Sequence, residues 1–195
     1  LGAVFKQLGK ISAALSANQR AVEIDPHDAE GHSNLGLILE ELGLSNEAEL
    51  SFKKAITIKA SFAEAYGNLG ITLRTLERFE EAEEEFVKSL SIKPNNVEVV
   101  RLLADTLRNL GKLEKAEAGY LESIKLRPDY PEAHNNLGVT LDALGRSDEA
   151  ESSYRKAIAL KPNYPEAFNN LGNVLKILEK FGEAEVCFQE AIALK

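Results

Sequence analysis

The stretch PEAHNNLGVTLDALGRSDEAESSYRKAIALKPNY, residues 131–164, is followed at once by PEAFNNLGNVLKILEKFGEAEVCFQEAIALK, residues 165–195. The second repeats the first after 34 residues. The same offset carries a Leu-small pair through the chain, as Leu1-Gly2, Leu35-Gly36, Leu69-Gly70, Leu103-Ala104, Leu137-Gly138 and Leu171-Gly172. A fixed period in this range marks a stack of units, each too small to bury its own apolar face. The chain therefore reads as one array. A partial repeat spans 1–28, full repeats span 29–62, 63–96, 97–130 and 131–164, and a nearly full one spans 165–195.

Inside a repeat the spacing is helical. Over Pro131–Leu144 the apolar or small positions Ala133, His134, Leu137, Gly138, Leu141 and Leu144 recur three or four apart. Pro131 suits a first helical turn, and Glu132 beside it suits the positive end of the helix dipole. Gly145 ends this helix, as Gly9, Gly43 and Gly111 do in their repeats, while Glu77 and Glu179 replace the glycine. A second helix runs from about Ser147 to Leu160, with Ala150, Tyr154, Ala157 and Ile158 inward. The loops Asp25-Pro26-His27-Asp28, Lys93-Pro94-Asn95-Asn96, Arg127-Pro128-Asp129-Tyr130 and Lys161-Pro162-Asn163-Tyr164 stop one repeat. Their Asn and Asp supply turn and N-cap chemistry for the next. The remnant Leu1–Leu8 is about two turns, too short to be stable unaided, and is expected to fray.

Composition narrows the function. The net charge of −8 with no basic block argues against nucleic acid. No apolar run approaches the ~18 residues that span a bilayer, and no signal-peptide pattern opens the chain. The lone Cys187 has no internal disulfide partner and fits a reducing, cytoplasmic setting. The chain lacks Met and opens partway through a repeat, so it is expected to be a piece of a longer protein. The ends of the stack are expected to expose apolar surface and to allow end-to-end self-association.

The pattern resembles the tetratricopeptide repeat (TPR) on Leu137, Gly138, Leu141, Ala150, Tyr154, Ala157 and Pro162 and their equivalents. Its departures are local: Asn18 stands where a ring is usual, Ser89 and Ser123 replace Ala, Ala104 replaces Gly, and Ala60 replaces Pro. The resemblance implies an all-α right-handed superhelix of antiparallel helix pairs, whose first helices line a concave side.

On those first helices the sixth residue of each repeat is Asn34, Asn68, Leu102, Asn136 and Asn170. An amide offers donors and an acceptor together and can pair with a peptide's C=O and N–H. Helices packed about 8–10 Å apart would meet a chain advancing ~3.3 Å per residue at roughly every third residue. The spacing is similar to the asparagine ladder in the TPR superhelices of O-linked N-acetylglucosamine transferases. The same asparagines could instead cap, bond within the helix pair, or sit in water.

The second residue is Glu throughout, at Glu30, Glu64, Glu98, Glu132 and Glu166, either a helix-dipole partner or a groove charge that disfavours acidic peptides. The TPR clamp for chaperone C-termini needs Lys where these Glu stand, so clamp binding is rejected. In the odd repeat 97–130, Arg101, Asp105 and Arg108 share one face, as an internal salt-bridge ladder or a spot for an acidic side chain.

No HExxH, paired Cys ligands or phosphate loop is present, and no nucleophile, base and orienter come together. His32 and His134 take a packing position. The expected function is a non-enzymatic scaffold, with no cofactor or metal, that binds an extended protein or peptide segment. Asn34, Asn68, Asn136 and Asn170 would hold its backbone, with Arg74, Arg101, Arg108 and Lys176 setting side-chain selectivity. The alternatives are a substrate-recruiting arm of a larger glycosyltransferase or sulfotransferase, and a self-assembling structural repeat.

Overall fold

The computed structural model describes residues 2–194, with side chains from residue 10 onward. Eleven helices and no strand occur among the described residues. They fall into two compact units, Leu1–Pro94 and Asn95–Lys195.

Unit 1 holds α1 (Gly2–Ile24), α2 (Ala29–Glu41), α3 (Ser45–Ile58), α4 (Ala63–Thr75) and α5 (Phe79–Ile92). Unit 2 holds α6 (Val97–Asn109), α7 (Leu113–Leu126), α8 (Pro131–Ala143), α9 (Ser147–Leu160), α10 (Pro165–Ile177) and α11 (Phe181–Ala193). Within each unit every helix packs on its neighbours in sequence, as the alternating apolar stripes require.

The close approach inside a pair has a steric basis. A Cβ added at Gly138 would lie 2.7 Å from the Tyr154 ring, and at Gly70 it would lie 2.7 Å from Phe86. The ring occupies the space that glycine leaves. The odd repeat reaches the same packing with the roles exchanged. Ala104 replaces the glycine, and Gly119 on the facing helix makes room, since a Cβ there would meet that of Ala104 at 2.8 Å.

The turn after each first helix needs a left-handed residue, with φ +74° at Gly43, +70° at Gly111 and +75° at Gly145. Glu77 and Glu179 hold the same conformation at φ +58° and +59° without glycine's freedom. The following N–H closes the helix in a Schellman-type bond, Arg78 N to the Leu73 carbonyl at 2.9 Å and Lys180 N to that of Leu175 at 2.8 Å.

Two sequence expectations change. The break at Gly9 is absent, because α1 continues through it from Gly2 to Ile24. A glycine costs a helix interior only about 1 kcal/mol, so a helix can continue through it. The expected fraying of Leu1–Leu8 concerns Leu1 and side chains that lie outside the described residues. The loop Asn and Asp cap only in part. Asp28 accepts from Glu30 N at 3.0 Å and Asn96 from Val99 N at 3.3 Å. The helices that begin with Pro131 and Pro165 follow Tyr130 and Tyr164, which make no side-chain cap. Proline at the first position has no N–H to satisfy, which lowers the need for one.

His32 and His134 pack as expected. Each ring nitrogen meets the carbonyl of a loop proline six residues back, Pro26 at 3.2 Å and Pro128 at 3.0 Å. Burial holds the His134 pKa below its ordinary value, partly offset by that hydrogen bond. At α10 and α11 the side chains of Ile177, Phe181, Val186 and Ile192 are exposed.

Candidate functional site

The first helices carry the polar positions that no core demands. In unit 1 the Asn34 side chain is exposed and that of Asn68 is half-buried. Neither amide has a side-chain hydrogen bond among the described residues. Both line a surface pocket of about 580 Å³ with Glu30, Ser33, Leu37, Lys59, Phe62 and Glu64. The carboxylates at its edge are held by lysines at the C-terminal end of the second helix of the same pair. Lys93 Nζ meets Glu64 at 3.1 Å, and Lys59 Nζ comes only to 3.9 Å of Glu30. The Glu64 carboxyl lies below its ordinary range, first through its own backbone N–H and then through Lys93. That combination is the helix N-terminus acting on an acidic side chain.

In unit 2 the corresponding amides are engaged. Asn170 Nδ2 donates to Asn135 Oδ1 at 3.1 Å, and Asn135 Nδ2 donates to Asn136 Oδ1 at 3.1 Å. Asn136 Nδ2 then donates to Asp105 Oδ1 at 2.9 Å. The row of donors ends on a buried carboxylate that also accepts from the Tyr120 hydroxyl at 2.6 Å and from Arg101 Nη1 at 2.5 Å. Arg101 donates further to Glu98 and to the Tyr130 hydroxyl, and that hydroxyl donates to Glu98. Side-chain exposure is 15% for Arg101 and 8% for Asp105, so this is an internal ion pair with full hydrogen bonding.

The electrostatics follow from that burial. Desolvation pushes the Glu98 carboxyl up, yet the hydrogen bonds from Arg101 and Tyr130 outweigh it and hold it low. Burial, then the Glu98 hydrogen bond, pushes the Tyr130 hydroxyl up to about 12. The Tyr120 hydroxyl also rises, through burial first and the Asp105 charge second, with Arg108 opposing.

The other sequence-derived residues are placed as follows. Arg74 and Arg108 are half-buried, and the Nε of each is enclosed without a hydrogen-bond partner. Lys176 is exposed. Leu102, which replaces the asparagine in the odd repeat, is buried. In unit 2 the structure brings Arg101, Asn136 and Asn170 into one network, and in unit 1 it brings Asn34 and Asn68 to one pocket. Sequence reasoning missed Tyr120 and Asn135 as members. One signal was present: Asp105 holds a position that is Leu37, Ile71 or Val139 in other repeats, opposite a Tyr where Phe52 and Phe86 stand in unit 1.

A second cavity, of about 470 Å³, lies between α9 and α11 over α10 and is lined chiefly by Ile158, Phe168, Leu171, Val186 and Cys187. Burial raises the Cys187 thiol pKa. The Arg155–Glu183 pair at its edge is closed at 2.6 Å, so no converging free polar groups are on offer there. Among the described residues no cluster of three His, Cys, Asp or Glu side chains could hold a metal ion. No helix among them is long and apolar enough to cross a membrane.

Family profiles described as Tetratricopeptide repeat match residues 29–62, 63–96, 101–165 and 165–195, and one described as TPR repeat matches 2–43. The chain belongs to the tetratricopeptide repeat family. A search of the curated proteins gave no match. Among solved structures it is similar to YrrB, described as a TPR protein with an unusual peptide-binding site. The TM-score is 0.77 at 25% identity, over 93% of this chain and 94% of that one. BtubC from P. vanneervenii matches with a TM-score of 0.80 at 22% identity, over 98% of this chain and 91% of that one. A MamA structure from Desulfovibrio magneticus RS-1 matches with a TM-score of 0.80 at 20% identity, over 85% and 94%. The last two likenesses speak to the fold alone. This chain is an all-α TPR protein.

Proposed function

We propose that this TPR chain is an interaction module that holds an extended peptide segment against its first helices. The observation that carries the reading is the pair Asn34 and Asn68: two amides on adjacent first helices, with no internal hydrogen bonds, lining one pocket. Each can offer a donor and an acceptor to a peptide backbone. The description of YrrB as peptide-binding supports the same role. In unit 2, Asn136 and Asn170 each commit one amide N–H internally and keep the other for a ligand. Single amide contacts contribute about 0.5–1.5 kcal/mol each, so affinity comes from several positions together. Arg74, Arg108 and Lys176 flank them as selectivity groups. Arg101 contributes indirectly, through its pairing with Asp105.

The test is selection of peptides on the full chain from a displayed random library, followed by rebinding to variants. Asn34→Ala with Asn68→Ala should leave helicity unchanged and reduce binding at least tenfold. Adding Asn136→Ala and Asn170→Ala should abolish it. Peptides that bind the folded double variant with undiminished affinity would overturn the proposal.

A further inference from the structure

We infer that the unit 1 pocket selects a peptide segment carrying a lysine or arginine side chain; this rests on the peptide-binding reading above and deepens it. The pocket already holds a cation of its own. Lys59 Nζ sits 4.8 Å from the centre of the Phe62 ring, within the range of a cation–π contact. It lies 3.9 Å from Glu30, whose side chain is 74% exposed.

The same cation, ring and carboxylate arrangement recurs in unit 2, where it is closed. Lys161 lies 4.5 Å from the Tyr164 ring and 3.1 Å from Glu132. In unit 1 the ion pair is slack, and Lys59 acts as a loosely held internal stand-in for a ligand cation.

The remaining groups fit an amphipathic cationic side chain. Leu37 and Phe62 offer apolar surface for its methylene stem, while Glu30 receives its head. Glu64 is paired with Lys93 at 3.1 Å, so Glu30, held only at 3.9 Å by Lys59, is the carboxylate open to a ligand cation. Ser33 also lines the pocket and adds a hydroxyl to its wall. With Asn34 and Asn68 about three peptide residues apart, the cationic side chain belongs to a residue between those two backbone contacts.

The experiment is a titration of the full-length, isotope-labelled chain, reading the side-chain amide NMR signals of Asn34 and Asn68. The probes are capped pentapeptides, Ala-Val-X-Val-Ala, with X as Lys, norleucine or Glu. The Lys peptide should move both signals and bind about fivefold more tightly than the norleucine peptide, the scale of one exposed ion pair, with the Glu peptide weakest. Glu30→Gln with Glu64→Gln should erase that preference, and Lys59→Gln should tighten Lys-peptide binding severalfold by removing the internal competitor. Equal affinity of the Lys and norleucine peptides, with both amide signals moving, would overturn the cation inference while leaving the peptide surface standing. Failure of every peptide to move either signal would overturn both.

Discussion

The two units carry the same asparagine positions and use them differently. In unit 1, Asn34 and Asn68 face a pocket with their hydrogen-bonding capacity unspent. In unit 2, Asn136 and Asn170 belong to a one-directional row of donors that ends on Asp105. The difference traces to two positions, an aspartate where the other complete repeats carry Leu37, Ile71 and Val139, and Asn135 where unit 1 has Ser33 and Gly67. A buried carboxylate must gather donors, and it draws them from Arg101, Tyr120 and Asn136. A repeat position therefore does not fix a side chain's role; its neighbour one repeat away does.

The sharpest way to break the comparison is Asp105→Ala. It leaves the Arg101 charge and the Tyr120 hydroxyl without their shared acceptor, and unit 2 should lose about 3–5 kcal/mol. Hydrogen exchange resolved by helix should show α6 and α8 losing protection while α2 to α5 keep theirs. Equal loss in both units would remove the distinction drawn between them.

Next in size is Gly119→Ala, which brings a Cβ to 2.8 Å from that of Ala104 and should cost about 1–3 kcal/mol. Adding Ala104→Gly should restore most of it in urea denaturation. Strictly additive losses would mean that the two residues do not share one contact.

The buried serines give opposite signs. Ser89 Oγ donates to the Ala63 carbonyl at 2.8 Å, whereas Ser123 Oγ is buried without a partner. Ser89→Ala in unit 1 should cost about 1 kcal/mol, and Ser123→Ala in unit 2 should gain about as much. Thermal melts of the two variants should move in opposite directions.

The smallest effect is a pH dependence confined to unit 2. The folded His134 pKa lies below 6.5, so between the two values the unfolded chain binds more protons and stability rises with pH. This contribution is complete above pH 6.5 and is lost as pH falls through the folded value. His134→Phe, the residue of the next repeat at Phe168, should flatten the stability profile of unit 2 over that window.

Much of the helix layout was legible because it follows from local rules. Leucine, glycine and aromatic positions at a 34-residue period identify the pairs, and Gly43, Gly111 and Gly145 identify the left-handed turns. The continuity of α1 was not legible, because a glycine that ends one helix is tolerated inside another. Nor was the Gly119–Ala104 exchange, since a small residue reads as unremarkable until its facing partner is known. The pocket amides were readable as candidates from spacing. Their division into free and engaged was not, because Asp105 and Asn136 are 31 residues apart and meet only through packing between repeats.

One feature of the second helices reaches beyond any single hairpin. Glu49 meets Arg78 at 2.6 Å, Glu117 meets Arg146 at 2.7 Å, and Glu151 meets Lys180 at 2.7 Å, each 29 residues on. These latches join neighbouring hairpins through cations 36–43% exposed and glutamates only 11–18% exposed, while each hairpin is closed by apolar packing. Salt screens such sheltered pairs much less than exposed ones, and removing one partner leaves the other charge poorly hydrated and without its counterion. Each joint is therefore selective as well as adhesive, since its sheltered glutamate is satisfied only in the register that brings a cation 29 residues on beside it.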